Sequence, residues 1–107
     1  MIIVTLRIVV PPERQDEVLK TLRLFLGPTG VQPGCVSCRF YQDIENENAL
    51  TLVEEWESQA DLDTHIRTDD FRKILAVMDI SNEPPEIKFN TVSKTVGMEV
   101  IEIVRGK

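Results

Sequence analysis

The sequence predicts an α+β domain of the ferredoxin-like βαββαβ type, a four-stranded antiparallel sheet with its helices on one face. Three observations carry that expectation. Residues 2–10, 35–43 and 49–57 read as strands. Helical spacing fills the stretches between the first and second strands and after the third. The connection Asp43 to Asn48 is short and polar, so the second and third strands form a hairpin. With a last extended segment from Glu86, the order is that of a split βαβ fold.

The first strand places Ile2, Val4, Leu6, Ile8 and Val10 on one wholly apolar face and Ile3, Thr5, Arg7 and Val9 on a mixed one. Pro11-Pro12 ends it, because proline offers no ladder N–H, and opens a helix, where that N–H is not needed. The helix is expected over Pro12 to Leu26. Its early acids are Glu13, Asp16 and Glu17, and its apolar stripe is Val18, Leu19, Leu22, Phe25 and Leu26. Gly27-Pro28 is expected to stop it and GPTGVQPG (27–34) to be a loop. In the second strand Val36, Cys38 and Phe40 should share one face, and Cys35, Ser37, Arg39 and Tyr41 the other. Ser58, with Asp61 three positions on, reads as a helix cap. A short helix carrying Ala60, Leu62, His65 and Ile66 follows. Thr68 and Asp69 read as a second cap, ahead of Phe71, Ile74, Leu75 and Met78. The last segment is expected to run extended from Glu86, through a bulge at Gly97, to about Val104.

Composition bounds the rest. The 107 residues make one domain, 1–107, with 42% hydrophobic and 28% charged residues, ordinary for a soluble globular protein. No apolar run approaches the roughly 20 residues of a membrane span. A net charge of −6 with no basic cluster disfavours nucleic acid as a partner. The opening run MIIVTLRIVV lacks a basic region before it and a small-residue cleavage site after it, so it reads as mature structure. The two cysteines are expected to be reduced thiols in the cytoplasm.

The helices cover one face of such a sheet. The other carries Ile3, Thr5, Arg7, Val9, Ser37, Arg39 and Tyr41, too apolar to stay wet and too polar for a core, and so it calls for a partner. The apolar tail MEVIEIV (98–104) would template strand pairing if left bare. The economical solution is a homodimer whose sheets face each other and whose tails cross, forming a dimeric α+β barrel with an enclosed cavity.

The stretch PGCVSCRFYQD, then LTLVEEWESQADLDTHIRTDDFRKI (residues 33–74), resembles the antibiotic biosynthesis monooxygenase family. The matching features are Pro33-Gly34-Cys35, Tyr41, Glu54 with Trp56, then Ser58, Ala60, Leu62, His65 and Phe71. The likeness extends from Ile2 to about Val100. It implies a cofactor-independent monooxygenase acting with molecular oxygen on a quinol or polyphenol-like aromatic, with neither flavin nor metal. A haem-degrading branch of similar fold uses an asparagine on strand one and a late histidine. Here strand one offers Thr5 and Arg7, and the single histidine lies early, which argues against haem.

Oxygenation without a cofactor needs a base, a group to hold the substrate anion, and dry walls. His65 is the candidate base and Arg39 the catalytic cation; Arg7, Tyr41 and Trp56 are candidate substrate contacts. Each has a structural alternative. His65 could pack at the helix edge beside Leu62 and Ile66. The arginines could pair with Glu54, Glu55 or Glu99. The aromatics could be core or interface. Glu54 is expected to pair with an arginine, or else to act as a base beside Trp56. Cys35 and Cys38, three apart in a strand, are expected to diverge, which disfavours a zinc or redox pair. The alternative to catalysis is a non-catalytic ligand-binding or structural dimer of the same fold.

Overall fold

The computed structural model describes residues 1–106. Four strands, β1 (Ile2–Val9), β2 (Cys35–Gln42), β3 (Ala49–Trp56) and β4 (Glu86–Thr91), form one antiparallel sheet in the order β2-β3-β1-β4. The helices are α1 (Gln15–Gly30), α2 (Gln59–Ile66), α3 (Phe71–Ile80) and α4 (Glu99–Arg105). The expected ferredoxin-like arrangement is the observed one: β3 lies between β1 and β2, which α1 connects. No helix among the described residues is long and apolar enough to cross a membrane.

Strand alternation builds the core. Ile2, Val4, Leu6 and Ile8 of β1, with Leu50, Leu52 and Trp56 of β3, face the helices and are buried. Val18, Leu22 and Phe25 of α1 and Phe71, Ile74 and Val77 of α3 close over them. Val9, assigned by parity to the mixed face, is also buried; its N–H donates to Ser81 Oγ (3.0 Å), and its carbonyl accepts from Asn82 N–H (2.9 Å). Ser58 caps α2 as expected, its Oγ accepting from Asp61 N–H at 3.1 Å. Thr68 Oγ1 accepts from Phe71 N–H at 3.3 Å, but the cap residue of the next helix is Asp70, whose side chain makes no capping bond. Within α3 the stripe is displaced: Leu75 is exposed and Val77 takes its place.

Three expectations are corrected. First, α1 does not stop at Leu26 but continues through Gly27-Pro28 to Gly30, after a 3-10 turn at Pro12–Arg14. Pro28 removes one helical bond, to the carbonyl of exposed Leu24, while the extra turn buries Thr29 completely. Second, β2 is irregular at its start. Cys35 pairs with Trp56 and Ser37 with Glu55, so Val36 is an extra, exposed residue. This bulge turns Cys35 onto the core face that also holds Cys38 and Phe40. The two cysteines therefore share a face. Third, the tail is helical. The ladder between β1 and β4 ends at the Ile2–Thr91 pair and the bond from Val92 N–H to the Met1 carbonyl. Beyond it no strand among the described residues offers partners, and residues 99–105 satisfy their backbone locally as α4.

Gly34, entering β2, has φ +83°, and a Cβ there would collide with the Asp61 side chain. Only glycine allows the loop to pass this close to the first turn of α2.

Candidate functional site

On β3 the residues facing the helices are Leu50, Leu52, Glu54 and Trp56. One of these four is a carboxylate, and it is 1% exposed. Such a group must be paired to stay buried. Glu54 Oε1 accepts from Trp56 Nε1–H at 3.0 Å, and Oε2 faces His65 Nε2 at 3.2 Å. His65, from α2, is fully buried. Its ring stacks on Trp56, with centroids 4.5 Å apart and planes at 28°, and is flanked by Phe25 (5.6 Å) and, edge-on, by Phe71 (5.3 Å). The other ring nitrogen, Nδ1, lies 2.9 Å from Gln32 Oε1, on the segment between α1 and β2. A hydrogen-bonded chain thus runs Gln32–His65–Glu54–Trp56 through an aromatic box between sheet and helices.

A cleft of about 360 Å³ opens beside this chain, lined by Gln32, Pro33, Asp61, Thr64 and Thr68. Its size suits a small organic molecule. Gln32 lines the cleft and touches the imidazole, so it stands between the two. Thr29, one turn earlier on α1, is fully buried, and its Oγ1 has no hydrogen-bond partner among the described residues.

The sheet divides the five residues expected to form one site. His65 and Trp56 lie on the helix side, and Arg7, Arg39 and Tyr41 lie on the opposite face. There Ser37, Arg39, Tyr41, Val53 and Glu55 line an open groove of about 340 Å³. Arg39 and Tyr41 are exposed in it. Arg7 pairs with Glu86 at 4.0 Å, not with Glu54, Glu55 or Glu99, while Glu54 takes His65 rather than an arginine. Glu54 was legible as the one charge on the apolar face of β3. Gln32, a polar residue in a run of turn formers, carried no such signal.

Cys38 Sγ approaches Glu54 Oε2 at 4.0 Å. Burial pushes both thiols above the ordinary 9.0, and the charge of Glu54 raises them further, Cys38 the more strongly. The thiolate is the reactive form, so both cysteines should be sluggish nucleophiles. Iodoacetamide at pH 8 should label them at least tenfold more slowly in the folded protein than in urea; equal rates would show that the core face does not shield them. The same shifts weaken the fold in alkali. Above the unfolded thiol value the unfolded chain releases protons that the folded one retains, and stability falls as pH rises past 9.

Among the described residues no three His, Cys, Asp or Glu side chains converge on a point that could hold a metal ion.

The family model described as antibiotic biosynthesis monooxygenase matches residues 1–77. An uncharacterized protein of Synechocystis is 32% identical over 95 residues, which are 88% of this chain. The chain spans 65% of the length of that curated relative. A conserved protein of Methanosarcina mazei shares the fold with a TM-score of 0.78 at 31% identity, over 83% of this chain and 89% of that one. A crystal structure of an antibiotic biosynthesis monooxygenase matches with a TM-score of 0.79, over 88% of this chain and 100% of that one. At 23% identity the last likeness is one of fold.

Proposed function

The chain belongs to the antibiotic biosynthesis monooxygenase family, and from that premise we propose that it is a cofactor-independent, homodimeric, cytoplasmic oxygenase of dihydroxy-aromatic molecules, its chemistry carried by His65 and Glu54. The observation that carries this reading is the buried chain Gln32–His65–Glu54–Trp56 at the edge of a cleft.

A carboxylate accepts, so Glu54 selects the tautomer in which His65 Nε2 bears the proton. Nδ1, on the cleft side, faces the Gln32 amide oxygen, an acceptor, so at rest it donates to that oxygen, and it is the basic nitrogen only once that proton has left. A quinol in the cleft gives its phenolic proton to Nδ1, and Glu54 balances the imidazolium. The electron-rich ring passes electrons to oxygen, and a ring carbon forms a C–O bond to give a hydroperoxide. The O–O bond then breaks, a ring hydrogen leaves as a proton, water departs and a carbonyl remains. For 1,4-dihydroxynaphthalene the balance is quinol plus O₂ to hydroxynaphthoquinone plus H₂O. Trp56, Phe25 and Phe71 keep water from the imidazole. Arg39, Arg7 and Tyr41 lie across the sheet from this chemistry and are assigned to the face that a second copy covers.

The test is oxygen consumption with a panel of dihydroxynaphthalenes. His65→Ala should lower the rate by roughly 100-fold or more, the usual worth of a positioned general base. A wild-type rate in that variant removes His65 from the mechanism. If no panel member reacts but one raises the melting temperature, the protein binds aromatics without oxidising them.

A further inference from the structure

We propose that Asp61 is the specificity-determining residue of this cleft, which admits a neutral, hydroxyl-bearing aromatic and rejects one that carries a carboxylate. The inference rests on the cleft beside His65 being the binding site, but not on the reaction that follows.

The lining is short of donors. Thr64 gives its hydroxyl proton to the Ala60 carbonyl at 3.1 Å, and Thr68 gives its own to the His65 carbonyl at 2.7 Å. The backbone N–H groups of Gln32, Asp61 and Thr68 go to the Thr29 carbonyl, Ser58 Oγ and the His65 carbonyl. Thr64 lies inside α2, and Pro33 has no N–H. Gln32 uses its amide oxygen to accept from His65 Nδ1–H, which leaves its NH₂ as the one side-chain donor of the lining not already engaged. Against that neutral group stand two threonine oxygens, with lone pairs to offer, and the carboxylate of Asp61.

That carboxylate is held in place and lacks a counter-ion. Ser58 Oγ donates to Asp61 Oδ2 at 2.9 Å and accepts from Asp61 N–H at 3.1 Å, and the Gly34 backbone passes against the side chain. Oδ1 has no hydrogen-bond partner, and no Lys or Arg pairs with the group, among the described residues. The start of α2 offsets part of its charge, as it does for any acid in a first turn. No cation in the lining offsets the rest. A ligand hydroxyl can donate to such a group. A ring carboxylate brought into a cleft of about 360 Å³ sits close to it with no cation between them, and like charges so placed repel. The phenolic oxygen that faces His65 is in a different position, because the imidazole stands opposite any negative charge it develops.

The probes are 3-hydroxy-2-naphthamide and 3-hydroxy-2-naphthoate, which match in shape and differ in charge. His65 is the only histidine of the chain, so binding is read from the ¹⁵N resonances of its ring, and a probe held by Arg39 on the other face is not counted. At pH 7 the amide should bind about tenfold more tightly than the naphthoate, or better. Asp61→Asn keeps an acceptor for the Ser58 hydroxyl and removes the charge, and it should bring the two affinities within about threefold of each other. Asp61→Ala should do the same should the asparagine variant fold poorly. A merely structural role for Asp61 would weaken both probes alike and leave their ratio unchanged. A ratio that survives both substitutions therefore overturns the proposal, and so does a wild-type protein that binds the naphthoate as tightly as the amide. If neither probe moves the His65 resonances at millimolar concentration, the cleft falls as a binding site and the proposal falls with it. Oxygen consumption decides the other question: a charge preference that depends on Asp61, in a protein that consumes no oxygen, leaves this inference standing and removes the oxygenase.

Discussion

Glu54→Gln should keep the fold and abolish most of the oxygen consumption, lowering it by roughly 1000-fold. The substitution is nearly isosteric, and every hydrogen bond around it can be remade. The new amide oxygen accepts from Trp56 Nε1–H in place of Oε1, and the amide NH₂ donates to His65 Nε2. The single imidazole proton then stays on Nδ1, which donates to Gln32 Oε1 at 2.9 Å. All partners are satisfied, but the cleft-side nitrogen can no longer give up its hydrogen, because Nε2 now carries none, and so it cannot act as a base. Reversing the tautomer in a dyad of this kind costs about 10⁴-fold at the extreme. Glu54→Ala is a different experiment. It leaves Trp56 Nε1 and His65 Nε2 buried without acceptors, which should destabilise the protein by about 3–5 kcal/mol. A thermal melt should separate the two variants by well over 10 °C, since one kcal/mol moves the midpoint of a domain of this size by roughly 4–8 °C. A wild-type rate in Glu54→Gln would exclude the carboxylate from the chemistry.

Glu54 also shows how much the sequence discloses. Alternation in β3 places it beside Leu50, Leu52 and Trp56, so its burial is legible from residue order alone. Its partner is not, because α2 reaches it only through the packing of His65 against Phe25 and Phe71. The arginines look like natural partners on charge. The register puts Arg7 and Arg39 on the other face, opposite Thr51 and Val53. Period two fixes sides while pairing is regular, and it fails at Cys35, where one extra residue reverses the parity. Nothing in PGCVSC marks that bulge, which follows the turn where Gly34 passes close to Asp61. Gly27-Pro28 misleads for a related reason: turn formers weigh a local preference, whereas burial of Thr29 is decided by the sheet beneath it. The tail fails through topology. MEVIEIV has strand-forming residues, but the ladder it would join ends at Thr91.

The second large effect is expected from Val53→Asp, which should convert a dimer into a 12.2 kDa monomer. Val53 lies at the middle of the uncovered sheet face, between Thr5 of β1 and Arg39 of β2. A carboxylate there would be desolvated in the proposed interface without a dedicated partner. The face itself, four strands at about 4.8 Å spacing and some eight residues long, presents roughly 500 Å². Stable dimers bury nearer 800 Å² per partner. Further apolar surface lies at Met98 and on α4, where Val100, Ile101, Ile103 and Val104 are all exposed. A seven-residue helix with that much bare apolar surface does not hold its shape by backbone bonds alone. Ile103→Glu on α4 should therefore weaken the dimer without unfolding the body, which its apolar residues do not help to build. Sedimentation at micromolar concentration checks both variants; a wild-type protein that runs as a monomer there would sink the interface. Because β-strands separate Val53 from His65, the Val53→Asp monomer should retain the wild-type His65 ring resonances and consume oxygen within a few-fold of the wild-type rate per chain. Loss of both would mean that the second copy shapes the cleft through the sheet, and that the two faces do not work independently.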